Sequence, residues 1–123
     1  MGNPHVVINL AHADLLGSDE YLQEVALAIQ NSSLFANGTN VNFFVIISPN
    51  ELKMRTYERG VGFTLACGSG ACATASFAIA QKLCNNNVCI SMPGGTLNIH
   101  WDREKEIEMT GNAAYVFDGI MIL

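Results

Sequence analysis

Tyr57-Glu58-Arg59-Gly60-Val61-Gly62-Phe63-Thr64-Leu65-Ala66-Cys67-Gly68-Ser69-Gly70-Ala71-Cys72 runs directly into an apolar segment, Ala73 to Leu83. Read locally, it is a strand end, a glycine-rich turn carrying one cysteine, and the start of a helix. The small residues Gly68, Ser69, Gly70 and Ala71 sit where backbone N–H groups lack intrahelical partners and carry the positive end of the helix dipole. Such a start attracts anions. A thiol placed among those groups is able to take and give a proton near neutral pH. A carboxylate held beside it then suits one chemistry, removal of a proton from the carbon next to a carboxyl group.

The rest of the composition narrows the classes. At 123 residues, the chain is expected to form one domain, residues 1–123, with a sizeable core. Half the residues are hydrophobic and 14% are charged, which argues against disorder. A net charge of −5 argues against nucleic acid or an anionic membrane as the partner. No apolar run reaches the roughly 18–20 residues of a membrane span. The N-terminus lacks the basic-then-apolar order of a signal peptide. A cytoplasmic location is the expectation. Four cysteines (Cys67, Cys72, Cys84, Cys89) allow two disulfides or a metal site in principle. With no export signal and with C-x4-C spacings in place of C-x-x-C, reduced thiols and no metal are expected.

Outward from the glycine turn, the helix from about Gly70 to Leu83 is apolar on every side and is predicted to be buried all round, with Asn85-Asn86-Asn87 stopping it. Val6 to Leu10 reads as a short strand. Ser18-Asp19-Glu20 reads as a capped helix start, and Leu22, Val25, Ala26 and Ile29 follow at helical spacing. Asn31-Ser32-Ser33 ends that amphipathic helix. Val41 to Ile47 and Glu51 to Tyr57 are predicted as a hairpin around Pro49-Asn50. Four more strands are expected: Val88 to Met92, Thr96 to Trp101, Glu106 to Thr110, and Tyr115 to the C-terminus. The expected architecture is α+β: a curled, barrel-like, mostly antiparallel or mixed sheet around a buried central helix, with one amphipathic surface helix.

At this point the residues resemble the C-terminal half of the diaminopimelate epimerase family. Met-Gly-Asn-Pro-His stands at 1–5, Leu-Phe at 34–35, Gly-Thr-Asn-Val-Asn-Phe at 38–43, and Tyr-Glu-Arg-Gly-Val-Gly at 57–62. Ala-Cys-Gly-Ser-Gly-Ala-Cys-Ala stands at 66–73, Met-Pro-Gly-Gly at 92–95, Trp101 beyond it, and Met-Thr-Gly at 109–111. The match runs along the whole chain.

The resemblance implies a cofactor-independent isomerase that interconverts LL- and meso-diaminopimelate on the route to lysine and peptidoglycan precursors. In that family two similar domains each place one cysteine at a helix start, and the thiols flank the substrate α-carbon. Carried over by position, Cys67 is implied as one acid/base. Glu58 and His5 are implied near the thiols. The backbones of Gly68 and Ser69, and with them Gly70, are implied to hold the reacting carboxylate. Asn3, Asn40 and Arg59 are implied on the distal carboxylate, and Glu58 on the distal amine.

Two departures stand out. Phe63 occupies a position where many family members have a glutamate. The family's first domain has no counterpart, so this chain is expected to supply one thiol and to be inactive alone. A separate N-terminal domain, a partner chain, or a second copy in a homodimer would then complete the site. Two other readings compete with it: a catalytically silent domain that binds a carboxylate or assembles with a partner, and another amino-acid racemase or isomerase of the same fold. Cys72 reads as core packing, Cys84 and Cys89 as ordinary thiols, and His12 and His100 as structural or surface residues.

Overall fold

A computed structural model describes residues 4–35, 38–65 and 67–111. Asn3 and the strand expected from Tyr115 onward lie outside the described residues. The elements in order are β1 (His5–Asn9), α1 (Asp19–Gln30), β2 (Asn40–Ser48), β3 (Glu51–Glu58), β4 (Gly62–Thr64), α2 (Gly68–Ala80), β5 (Asn87–Met92), β6 (Gly95–His100) and β7 (Glu108–Gly111). Short 3-10 turns at Ala13–Gly17 and Ser33–Phe35 bracket α1.

Described strands form one sheet in the order β1-β2-β3-β5-β6-β7. The pairs β1–β2 and β3–β5 are parallel, and the others are antiparallel. The parallel β3–β5 pair is possible because the chain crosses over through α2, as parallel strands require. One edge of β3 is shared. Its first residues, Glu51 to Lys53, pair with β5, while Thr56 to Glu58 pair with β4. The sheet therefore splits beside the glycine turn and leaves room for the start of α2. The helix lies against β1 and β2 on one wing and β5 and β6 on the other, so the sheet curls around it.

Two apolar clusters result. Phe44, Leu52, Met54, Ile90, Leu97 and Ile99 enclose Ala71, Cys72, Ala75, Ala78 and Ile79 of α2. On the outer face Val41, Phe43 and Val45 pack with Leu22 and Ala26 of α1. Both faces of β2 are thus covered, and burying a side chain of the Phe or Leu class contributes about 1.5–3 kcal/mol.

The expected architecture holds, with corrections at three places. The central helix begins two residues earlier than predicted, at Gly68, and ends at Ala80. Lys82 adopts φ 61°, and the N–H groups of Lys82 and Leu83 bond the Ile79 and Ala78 carbonyls at 3.0 and 2.8 Å. That is a Schellman ending, with lysine where glycine is usual, so the stop signal was hidden. Nor is the helix buried all round, since Phe77 is 38% exposed and Ser69 and Ala80 also face outward. Because the sheet wraps it only part way, one apolar stripe stays open.

Ser18 makes no side-chain cap; its own N–H closes the preceding 3-10 turn onto Leu15 O at 3.0 Å, with ψ 83°. The three-residue β4 is an addition, too short to carry a periodic pattern. Its Phe63 packs edge-on against Tyr57 at 4.9 Å, under the Arg55 guanidinium at 4.1 Å. Phe63 therefore works as packing on the α1 side of the sheet.

Candidate active site

Strand alternation decides which side chains reach α2. Phe44 on β2, Leu52 and Met54 on β3, and Val7 on β1 pack around the helix. By the period of two, Asn40 and Asn42, Thr56 and Glu58, and His5 share that inner face toward one end. The register aligns them, with His5 opposite Asn40 and Asn42 opposite Thr56. Apolar side chains fill the middle of the curl, and polar ones gather at the mouth where α2 begins.

Cys67 is the N-cap of α2, with extended backbone at φ −150° and ψ 106°. Its Sγ accepts the Gly70 N–H at 3.3 Å, and its carbonyl accepts the Ala71 N–H at 2.9 Å. The Ser69 hydroxyl lies 3.5 Å from Sγ. Here a sulfur takes the place usually filled by a Ser, Thr or Asp oxygen. Among the described residues the N–H groups of Gly68 and Ser69 meet no protein acceptor. They supply two fixed donors beside a half-buried sulfur.

Glycine at position 70 is required by its neighbours. A Cβ there would lie 2.4 Å from Asn42 Oδ1, 3.1 Å from Cys67 Sγ and 3.2 Å from Thr56 Oγ1. The helix start can press onto the strands only because this side chain is absent. Behind the turn, the Gly94 N–H bonds Leu65 O at 2.7 Å, and a Cβ on Gly94 would meet Leu65 Cβ at 2.9 Å. The Met92-Pro93-Gly94-Gly95 turn therefore buttresses the segment leading into Cys67.

His5 stands on the same inner face. Burial lowers its imidazole pKa below the ordinary value, while the Glu58 carboxylate pulls it back up. The buried Asn40 accepts the Arg59 N–H on Oδ1 at 2.8 Å and fixes the bend after β3. Gly38, at φ +81°, lies under the Arg59 stem, where a Cβ would be 2.3 Å from Cδ. That close approach lays the Arg59 stem across the loop before β2. Thr39 and Gln30 tie the same corner together, Thr39 Oγ1 donating to Pro4 O and Gln30 Nε2 to Thr39 O, both at 2.8 Å.

Of the residues implied by the sequence, Cys67, Gly68, Ser69, His5, Asn40, Glu58 and Arg59 meet at this mouth, and Asn3 lies outside the described residues. Asn42 and Thr56 are the members sequence reasoning missed; both are buried, and the Thr56 hydroxyl donates to Asn42 Oδ1 at 2.8 Å. Asn alternating with hydrophobic residues at the head of β2 was the available signal. Two cavities, of about 540 and 670 Å³, lie away from this mouth: one under the Ala13–Gly17 turn, the other around Cys89 and His100.

All four cysteines are free. Cys72 is buried one turn past Cys67, its thiol pKa pushed up to about 11 by burial first and then by the charge of Cys67. Among the described residues no three His, Cys, Asp or Glu side chains converge as a metal site. No described helix is long and apolar enough to cross a membrane.

A helix wrapped by a curled mixed sheet is a domain architecture also seen among solved structures. The fold matches that of a phenazine biosynthesis protein of the PhzF family from Bacillus anthracis, with a TM-score of 0.63 and 21% identity, over 90% of this chain and 35% of that one. At that identity the likeness concerns the fold alone. The sequence goes further. Residues 1–116 match the family model described as diaminopimelate epimerase, and the chain belongs to that family. It is 41% identical over 122 residues to the diaminopimelate epimerase of Desulfitobacterium hafniense, covering 99% of this chain and 42% of that protein. Against the diaminopimelate epimerase of Xanthomonas axonopodis pv. citri it is 39% identical over 120 residues, covering 97% and 41%. The chain thus spans about two-fifths of the length of these relatives.

Proposed function

We propose that this chain is the C-terminal half of a diaminopimelate epimerase and supplies one of two thiols that invert the α-carbon of LL-diaminopimelate to the meso form. The observation that carries the reading is Cys67 at the α2 N-cap, its sulfur held by the Gly70 N–H beside the N–H groups of Gly68 and Ser69, which meet no acceptor among the described residues. A carboxylate docked on those groups has its α-carbon next to the sulfur. The charge that builds up as the proton leaves is stabilised by fixed dipoles, which need no reorganisation. Proton removal by one thiolate and delivery from a thiol on the opposite face inverts the centre without cofactor or metal.

In this reading Arg59 and Asn40, with Asn3, bind the distal carboxylate, the guanidinium fork suiting that group. Glu58 takes the distal amine and, with His5, sets the charge around the thiols. One thiol serves one face of the carbon. The second thiol comes from an N-terminal domain or a partner chain, or from a second copy in a homodimer, and the chain alone is inactive. The relatives extend well beyond the two-fifths of their length matched here, which is room for the second domain this reading calls for. The family match favours this over another racemase of the same fold or a silent carboxylate-binding domain.

The test is deuterium uptake at the α-carbon of diaminopimelate in deuterated, reducing buffer. The chain is assayed alone and with a separately produced N-terminal half of a family member, with Cys67→Ala as control. Exchange only with both halves, lost in the variant, is expected. Exchange by the chain alone at the same rate removes the need for a second half, and no exchange under either condition favours the silent binding domain.

A further inference from the structure

Asn42 is a fully buried polar side chain that no role assigned so far uses. Its hydrogen-bonding capacity is committed in a definite sense. Nδ2 lies 3.1 Å from the Val6 carbonyl and 3.1 Å from His5 Nδ1, and Oδ1 accepts from Thr56 Oγ1 at 2.8 Å. A backbone carbonyl only accepts, so the atom facing Val6 is the amide nitrogen, which only donates. The same nitrogen faces His5 Nδ1, which must therefore be the acceptor. That leaves the imidazole neutral with its proton on Nε2.

The other side of Asn42 faces the helix start. Oδ1 occupies the notch where a Gly70 Cβ would be, 2.4 Å from that ideal position. Gly70 in turn donates its N–H to Cys67 Sγ. One amide thus touches both the ring of His5 and the turn that holds the thiol.

We infer that Asn42 is a positioning residue: it locks His5 as the neutral, Nε2-protonated tautomer and sets the seat of the helix turn that carries Cys67. Its part in catalysis rests on the epimerase reading above, but the tautomer and the seating do not. Thr56 anchors the amide from behind, and Glu58 is the charged group that opposes the neutral state of the ring.

The experiment is long-range nitrogen–proton NMR of the His5 ring in the reduced chain, with Cys67 alkylation followed by peptide mapping in the same samples. In the wild-type protein, an unprotonated Nδ1 and a protonated Nε2 are expected near neutral pH. Asn42→Asp places an acceptor against Nδ1, so the ring should switch to a protonated Nδ1 and its titration midpoint should rise. Thr56→Val removes only the anchor, and the tautomer preference should weaken without reversing. Both substitutions should change the Cys67 alkylation rate by several-fold. The wild-type spectrum requires no variant to fold, so it decides the matter alone if need be. A protonated Nδ1 in the wild-type chain overturns the inference, as does a folded Asn42→Asp protein whose His5 tautomer and titration are unchanged. Failure of diaminopimelate exchange with the expected His5 spectrum would count against the epimerase reading only.

Discussion

Cys67 and Cys72 are the same residue on the same helix, and their surroundings make them different groups. Cys67 stands before the first turn, half-buried, its sulfur accepting a backbone N–H at 3.3 Å. Cys72 is buried in the apolar wall of α2, where its Sγ–H donates to Met109 Sδ at 3.5 Å. Apolar surroundings penalise the thiolate, and a neighbouring negative charge penalises it again. The dipole that helps a thiolate at the cap falls off within the first turn. The chemistry proposed for this helix thus belongs to a position, and moving a thiol inward converts it into core.

The largest stability loss should come from closing the gap that seats the cap. In Gly70→Ala the new methyl would lie 2.4 Å from Asn42 Oδ1, which is held by its own bonds and cannot swing away. Overpacking of that kind costs about 3 kcal/mol, read as a lower urea midpoint, and should disturb Cys67 while Cys72 stays buried. Serine at the two cysteines gives opposite results. Cys72→Ser places a hydroxyl where only a thioether faces it and should cost about 2 kcal/mol. Cys67→Ser should leave stability within about 0.5 kcal/mol, because serine is itself a good cap, yet abolish exchange in the complemented enzyme.

Alkaline titration sharpens the contrast. The Cys72 thiol ionises near 9.0 when unfolded and near 11 when folded, so the unfolded state loses its proton first. Stability due to this group is therefore intact below about pH 9 and falls as pH rises toward 11, by at most about 1.4 kcal/mol per unit. Urea unfolding at pH 8 and pH 10 should show this slope in the wild-type chain and a shallower one in Cys72→Ala. The smallest effect belongs to the far side of the sheet. Asp19 meets Arg55 at 2.5 Å but is 69% exposed, so Asp19→Asn should cost less than about 1 kcal/mol and leave both thiols unchanged.

How much of this was legible in the sequence follows from what each residue has to do locally. The start of α2 was readable because small residues, a glycine-rich turn and an apolar run coincide within ten positions. Its end was not, because Lys82 takes a left-handed conformation that the sequence gives no reason to expect of lysine. Asn42 was hidden for a different reason. From Asn40 to Val45 both faces of β2 are buried, so the Asn-Val-Asn-Phe alternation at its head does not by itself say which face meets the helix. The opening along Phe77 depends on how far the sheet curls, a property of tertiary packing.

The direct test of the contrast is native-state labelling of all four thiols with iodoacetamide at pH 8, followed by peptide-resolved mass spectrometry. With a thiol pKa of about 11, Cys72 presents roughly one thiolate per thousand molecules at that pH, and it is shielded as well. Cys67 should be modified while the chain is folded, at least about a hundredfold faster than Cys72, and Cys72 should react at an appreciable rate only once urea opens the core. Equal labelling of the two in the folded chain, or a Cys67 that stays protected until unfolding, would contradict the assignment of the acid/base to the helix start.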